Sequence, residues 1–265
     1  MSTAVAMKSD CELFFDEVHG TKNRVLLLDY DGTIAPFTAR RDQAFPYPTV
    51  PELLDCIMST CRTRVALISG RSAREVPQLL GLKPHPEVWG VHGMERLMPD
   101  GQYSAAQISE DTQRVLDEVD AWVQEQGLGE FAELKPGAVA VHWRGLGVSE
   151  IEEVRTKAYR VLWPFARRAN LFLDEFDGGL ELRPRNRCKA DAVRTILSEA
   201  GNNPAVAYLG DDATDEDAFR FLNGAGLTVL VRPTYRFTAA QLWLRPPEDV
   251  VQFLADWIRA CGGDM

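Results

Sequence analysis

Ten residues constrain this 265-residue chain more than any others: Arg24-Val25-Leu26-Leu27-Leu28-Asp29-Tyr30-Asp31-Gly32-Thr33. Four consecutive aliphatics with no polar alternation suit a strand buried on both faces of a parallel sheet. Asp29 then falls at the carboxyl end of that strand, where open α/β sheets place their ligands. Gly32 lets the chain bend there, so Asp29 and Asp31 can converge on one site. Two carboxylates this close repel unless something neutralises them, and a hard cation such as Mg²⁺ does so through oxygen ligands. A carboxylate nucleophile, a second carboxyl as acid and base, and a metal together suit phosphoryl transfer through an aspartyl-phosphate. The competing reading is a strand followed by an acidic turn, since Asp-Gly is a common turn pair. Asp-Gly alone deserves that reading; the whole string does not.

The remaining apolar runs place this strand in an α/β chain. Residues 11–19 predict a short helix, and residues 35–48, with three prolines, an irregular connection. Thr49 and Glu52 resemble a capping box opening a helix to about Cys61. Arg64–Ile68 is a second buried strand, ending in Ser69-Gly70-Arg71, with Ser72 expected to cap a helix to about Leu80. A third strand is expected over 87–95. The texture then changes: an acidic amphipathic helix over 104–126, a strand over 138–143, a helix over 149–163, and strands 171–173 and 180–182 joined by a turn at 177–179. The first texture resumes with a helix over 189–200 and a strand over 205–209 that runs into Gly210-Asp211-Asp212-Ala213-Thr214-Asp215. Helix 215–222, strand 227–231 and helix 248–260 complete the chain. The fold class expected is α/β: a doubly wound, Rossmann-like parallel sheet from 1–100 and 186–265, with an inserted α+β cap from 101–185.

A net charge of −10 with no Lys/Arg tract argues against nucleic acid and anionic membrane surfaces as partners. Five scattered cysteines without a Cys-x-x-Cys pair suit free thiols in a reducing compartment. Residues 1–10 lack the apolar core of a secretory signal, and no run reaches membrane-span length. A cytoplasmic monomer acting on a small phosphorylated molecule is the expectation.

Three strands thus end in reactive groups, and in a parallel sheet their tips share one edge. Asp-x-Asp-Gly-Thr, Ser-Gly-Arg, Lys189 and Gly-Asp-Asp-x-Thr-Asp-Glu-Asp, in that order, resemble the haloacid dehalogenase superfamily of phosphatases. The long insert between the second and third of these matches members whose cap lies there. Gly90-Val91-His92-Gly93-Met94-Glu95, Glu133-Leu134-Lys135, His142-Trp143-Arg144 and Glu181-Leu182-Arg183-Pro184 bring the resemblance closest to the trehalose-6-phosphate phosphatases, over roughly residues 24–255.

The resemblance implies hydrolysis of trehalose 6-phosphate to trehalose and phosphate, the last step of trehalose biosynthesis. Asp29 would be the nucleophile and Asp31 the acid and base. Ser69 and Lys189 would grip phosphate oxygens. Mg²⁺ would be held by Asp29, the Asp31 carbonyl and Asp211, supported by Asp212 and Asp215. Gly70, Arg71, Glu95, Glu133, Lys135, Arg144 and Glu181 would bind substrate, and a cap rich in such groups suits a hydroxyl-rich sugar. The chain departs from the pattern at Ala190, where glycine is usual, and at Trp143, where tyrosine is commoner.

His92 is expected to be structural, His142 to stand outside catalysis, and Trp122 and Trp163 to be core residues. Rival readings are a phosphatase of sucrose-phosphate, glucosylglycerol-phosphate or mannosyl-phosphoglycerate, a phosphomutase, and a catalytically silent sugar-phosphate sensor.

Overall fold

A computed structural model describes residues 10–176 and 178–263. Its strands are β1 (Arg24–Leu28), β2 (Arg64–Ile68), β3 (Glu87–Gly90), β4 (Glu95–Leu97), β5 (Tyr103–Ala105), β6 (Ala132–Lys135), β7 (Ala138–His142), β8 (Leu171–Phe176), β9 (Gly179–Pro184), β10 (Ala205–Gly210), β11 (Leu227–Val231) and β12 (Leu242–Leu244). Its helices are α1 (Asp10–Gly20), α2 (Val50–Ser59), α3 (Val76–Leu80), α4 (Glu110–Glu125), α5 (Val148–Leu162), α6 (Lys189–Ala200), α7 (Glu216–Leu222) and α8 (Glu248–Ala260).

Eight strands form one sheet in the order β12-β11-β10-β1-β2-β3-β4-β5. It is parallel from β12 to β3, and β4 and β5 then add antiparallel. Side chains alternate across a strand. On β1, Leu26 and Leu28 therefore pack with α1, α2 and α8, while Val25 and Leu27 pack with α6 and α7. Burial on both faces is why β1 is a continuous apolar run. Its neighbours are β2 on one side and β10 on the other, so the chain order reverses at β1 and opens a crevice at its carboxyl tip.

The second sheet, β6-β7-β9-β8, is wholly antiparallel. Val139, Val141, Leu180 and Leu182 face α4 and α5 and build a separate core. On the opposite face Glu133, Ala140 and Glu181 lie in register across three strands. Alanine between two acids keeps the centre of that face shallow. This is the α/β architecture with an antiparallel cap that the sequence pattern implied.

Several local expectations are corrected. The stretch 87–95 is not one strand: His92 takes φ +53°, the chain turns over Val91–Gly93, and β4 returns antiparallel to β3. Residues 103–105 are a strand of the large sheet, so that sheet runs past residue 100 and α4 starts only at Glu110, capped by Ser109, whose side chain accepts from the Thr112 amide. Thr49 has a left-handed backbone and makes no side-chain cap, and Ser72 begins a turn that delays α3 to Val76. Trp122 and Trp163 are 46% and 61% exposed and not core. In the expected turn at 177–179, residue 177 lies outside the described residues. Among the described residues no helix is long and apolar enough to cross a membrane.

Candidate active site

Asp29 extends β1 by one ladder bond, its amide donating to the Leu209 carbonyl at 2.8 Å, and its side chain is buried at the crevice. Beyond it the amides of Ile34 and Ala35 fold back onto the Tyr30 carbonyl at 3.0 Å each. Gly32, at φ +79°, allows this reversal, and a Cβ there would stand 2.4 Å from Asp211 Oδ2. Glycine thus serves both the turn and the approach of the β10 tip.

β10 delivers Asp211, and a short 3₁₀ turn over Ala213–Asp215 returns Asp215 beneath it. Asp215 Oδ1 accepts from Lys189 Nζ at 2.8 Å and Tyr208 Oη at 2.5 Å, and Oδ2 accepts from the amides of Asp211 and Asp212 at 3.0 Å each. A carboxylate offers about four lone-pair sites, so all are committed. Asp215 is an anchor for the loop and for Lys189.

Lys189 opens α6 almost fully buried, with Nζ also 2.9 Å from Asp29 Oδ1. Ala190 follows inside the first helical turn, where nothing calls for glycine's freedom. Burial alone would pull the Lys189 ammonium down, but Asp215 and Asp29 outweigh it and hold the pKa above the ordinary lysine range. Burial raises Asp29 to about 7 despite Lys189, with Asp215 adding to the rise. Asp211 is pushed well above the usual carboxylate range by burial, then by Asp29 and Asp215.

Acids crowded into a dry crevice around a single lysine are short of positive charge. Ligand atoms of Asp29, Asp211 and Asp215 lie within 4.8 Å of one another, and the buried Asp211 Oδ2 has no hydrogen-bond partner among the described residues. With Asp215 fully occupied, Asp29 and Asp211 are the side-chain donors left to a hard divalent cation, and the site fits one.

Ser69 ends β2 buried, with its Oγ accepting from the Arg71 amide at 3.1 Å. The Arg71 guanidinium grips Asp31 in a two-point fork, Nε to Oδ2 at 2.7 Å and Nη2 to Oδ1 at 2.9 Å, and also pairs with Glu75. Asp31 is thus paired with Arg71 and Asp29 with Lys189, so the two acids have different partners. Gly70 lines the same cavity, while Asp212 lies at its edge and accepts from the Ala213 amide at 2.7 Å.

The small sheet roofs the crevice. Lys135 donates to the buried Glu181 at 2.7 Å, and His92 of the large sheet's turn lies 3.1 Å from the other Glu181 oxygen. Burial would raise Glu181, yet Lys135 and His92 hold it well below the carboxylate range. Glu133 pairs with Arg41 and lies 2.8 Å from His142 Nε2. That nitrogen is also 3.1 Å from Arg41 Nη1. Nε2 thus stands between an acceptor, Glu133, and a donor, Arg41, and the ring tautomer decides which of them it serves. A neutral ring agrees with burial, and then Arg41, lowering the His142 pKa to about 3. Arg144 lies over the Phe37 ring at 4.0 Å. The cavity between the two sheets opens to solvent and measures about 90 Å³, well below the ~300–1,000 Å³ of pockets that hold a whole ligand.

Asp29, Asp31, Ser69, Gly70, Arg71, Lys135, Arg144, Glu181, Lys189, Asp211 and Asp212 therefore share one cavity wall, and Glu133 and Asp215 stand directly behind it. Glu95 does not join them. It is buried, accepting from the Ala73 amide at 2.7 Å and Tyr103 Oη at 2.6 Å. Sequence reasoning overlooked Arg41 and Phe37, which sit in the proline-rich connection, and set aside His92 and His142, which line the cavity. An arginine pair, Arg40-Arg41, next to the nucleophile's loop was the one available signal.

A family model described as Trehalose-phosphatase matches residues 27–239. A trehalose-phosphate phosphatase of Mycobacterium bovis is 32% identical over 244 residues, covering 86% of this chain and 59% of its own length. The chain thus spans about three fifths of that relative. The solved C-terminal domain of a trehalose-6-phosphate phosphatase from C. albicans superposes with a TM-score of 0.79 at 21% identity, covering 99% of this chain and 100% of that one. A haloacid dehalogenase-like hydrolase of B. subtilis superposes at 0.61 with 12% identity, covering 88% and 99%. Both superpositions are likenesses of fold.

Proposed function

This chain belongs to the trehalose-phosphatase family, and from that premise we propose that it hydrolyses trehalose 6-phosphate to trehalose and phosphate. The observation that carries this reading is the meeting of Asp29, Lys189 and Asp211 in one dry crevice at the carboxyl tip of β1. The organisation that serves it is a core of residues 1–100 and 186–265, with β5 added at its seam, and a cap of residues 101–185.

Asp29 is the nucleophile: its carboxylate oxygen forms a bond to phosphorus as the bond from phosphorus to the sugar oxygen breaks. Asp31, protonated, gives its proton to that departing oxygen. In the second half Asp31 takes a proton from water, the water oxygen bonds phosphorus, and the Asp29–phosphorus bond breaks. Arg71 holds the Asp31 carboxyl in place through its two-point fork. Lys189 and Ser69 receive the non-bridging phosphate oxygens, and Lys189 stays charged throughout because Asp215 fixes it. A Mg²⁺ ion held by Asp29, Asp211 and the Asp31 carbonyl would supply the charge that offsets phosphate and carboxylates together. Closing the small sheet over the crevice excludes bulk water while the phosphate is on Asp29. Lys135, Arg144, Glu133 and Glu181 offer donors and acceptors for sugar hydroxyls; Glu95 acts at one remove by bracing the Ala73 turn. We place the reaction at the end of trehalose biosynthesis, in the cytoplasm, in a chain that works as a monomer.

A panel of phosphorylated sugars with Mg²⁺ tests this. Trehalose 6-phosphate should exceed every other sugar phosphate in kcat/KM by at least about tenfold, because a site built for hydroxyls rejects a partner that leaves them unpaired. A higher value for sucrose-phosphate, glucosylglycerol-phosphate or mannosyl-phosphoglycerate, dependence on an activating bisphosphate, or binding without phosphate release overturns it.

A further inference from the structure

We propose that Arg41 is a specificity-determining residue for the sugar half of the substrate, closing the site around the leaving group; this rests on the sugar-phosphate reading above. Arg41 lies in the connection between β1 and α2, yet its guanidinium reaches the small sheet. Nη1 pairs with Glu133 and lies 3.1 Å from His142 Nε2, while Nη2 reaches Glu75 at 3.3 Å. The Arg41 carbonyl accepts from Arg71 Nη1 at 3.0 Å, and Arg71 holds Asp31. One residue thus ties the cap surface to the acid that protonates the sugar oxygen.

The same connection touches the cap at two more points. Phe37 carries the Arg144 guanidinium on its ring, and a Cβ at Gly145 would stand 2.3 Å from Ala39 Cβ, so only glycine permits that contact. The segment is therefore a clasp between the two sheets, with Arg41 as its charged point. A guanidinium has five N–H donors. Glu133 and Glu75 each take one and His142 lies beside a third, and because Arg41 lines the cavity its remaining N–H groups are available to hydroxyls of a ligand there. Asp29, Ser69 and Lys189 have no bond to Arg41 among the described residues, so a small phosphate ester meets the same phosphate site whether or not the clasp is formed.

The test compares trehalose 6-phosphate with 4-nitrophenyl phosphate in R41Q and R41K. R41Q should lose roughly tenfold to a hundredfold in kcat/KM on the sugar phosphate, mainly through KM, as expected for a lost hydrogen bond to a charged group. The aryl ester should change by less than about threefold, since its leaving group needs no clasp. R41K keeps the charge, but one nitrogen cannot span Glu75 and Glu133, so it should show an intermediate ratio. Parallel loss on both esters, or an unchanged ratio, overturns the proposal; should R41Q not fold, the ratio in R41K decides. The wild-type panel separately decides the reading beneath it. If the wild type prefers another sugar phosphate, that reading fails and the Arg41 ratio is measured on the ester it does turn over.

Discussion

Lys189 Nζ lies 2.8 Å from Asp215 Oδ1, both groups almost wholly buried, and that oxygen takes a second hydrogen bond from Tyr208. The pair fixes a positive charge beside Asp29 without relying on solvent-exposed contacts. Removing one partner of a buried pair strands the other, which costs about 3–5 kcal/mol. Asp29 remains as a second partner of Lys189, so Asp215→Asn should lower the unfolding free energy by no more than that order, read as a lower urea midpoint, and loosen Lys189. A variant with unchanged stability would show that the anchor lies elsewhere.

Asp31 protonates the sugar oxygen in this mechanism, so its value depends on the leaving group. A sugar alkoxide needs the proton and a nitrophenolate hardly does. Asp31→Asn should lower kcat on trehalose 6-phosphate by about 10²–10⁴-fold, in line with loss of a general acid, and on 4-nitrophenyl phosphate by far less. Equal losses on the two esters would remove the acid role from Asp31.

Far from the crevice, Glu199 accepts from Arg64 at 2.6 Å and from Arg96 at 2.8 and 2.6 Å. Arg96 first, then Arg64, outweigh the cost of partial burial and lower its pKa to about 2. A carboxylate depressed on folding stabilises above its unfolded pKa of about 4.3 and loses that contribution as pH falls toward its folded value. The wild type should lose stability from this network between about pH 4.5 and 2, and Glu199→Gln should flatten that part of the profile. The Glu199 side chain is 39% exposed, so solvent screening limits the effect to about 1 kcal/mol. Urea unfolding at a series of pH values measures it.

The strands that position the chemistry were legible because each is apolar on both faces and stops at a polar tip: β1 at Asp29, β2 at Ser69, β10 at Asp211. β6 was not, since on a one-sided sheet Ala132–Lys135 carries Glu133 and Lys135 toward the cavity and reads as polar chain. The β3–β4 reversal was hidden because Val91 and His92 take positive φ without glycine at either position. Trp122 in α4 and Trp163 in the turn just after α5 are exposed, and the spacing of apolar residues alone does not separate core from surface at such positions. Arg41 carried only the faint mark of its neighbour Arg40, for a different reason. Its partners Glu75, Glu133 and His142 are 34, 92 and 101 residues away, and only the packing of two sheets brings them together.

Every later step of the proposed reaction depends on Asp29 carrying the phosphate. Reduction with borohydride during turnover of trehalose 6-phosphate converts an acyl phosphate at that carboxyl to the alcohol, which mass spectrometry of the peptide over residues 24–33 reads as homoserine at position 29. The expected result is homoserine there in the wild type with Mg²⁺ and none in Asp29→Asn, which should also release no phosphate while keeping its fold. An unmodified Asp29 in protein that is releasing phosphate at full rate, or an Asp29→Asn variant with normal turnover, would contradict it.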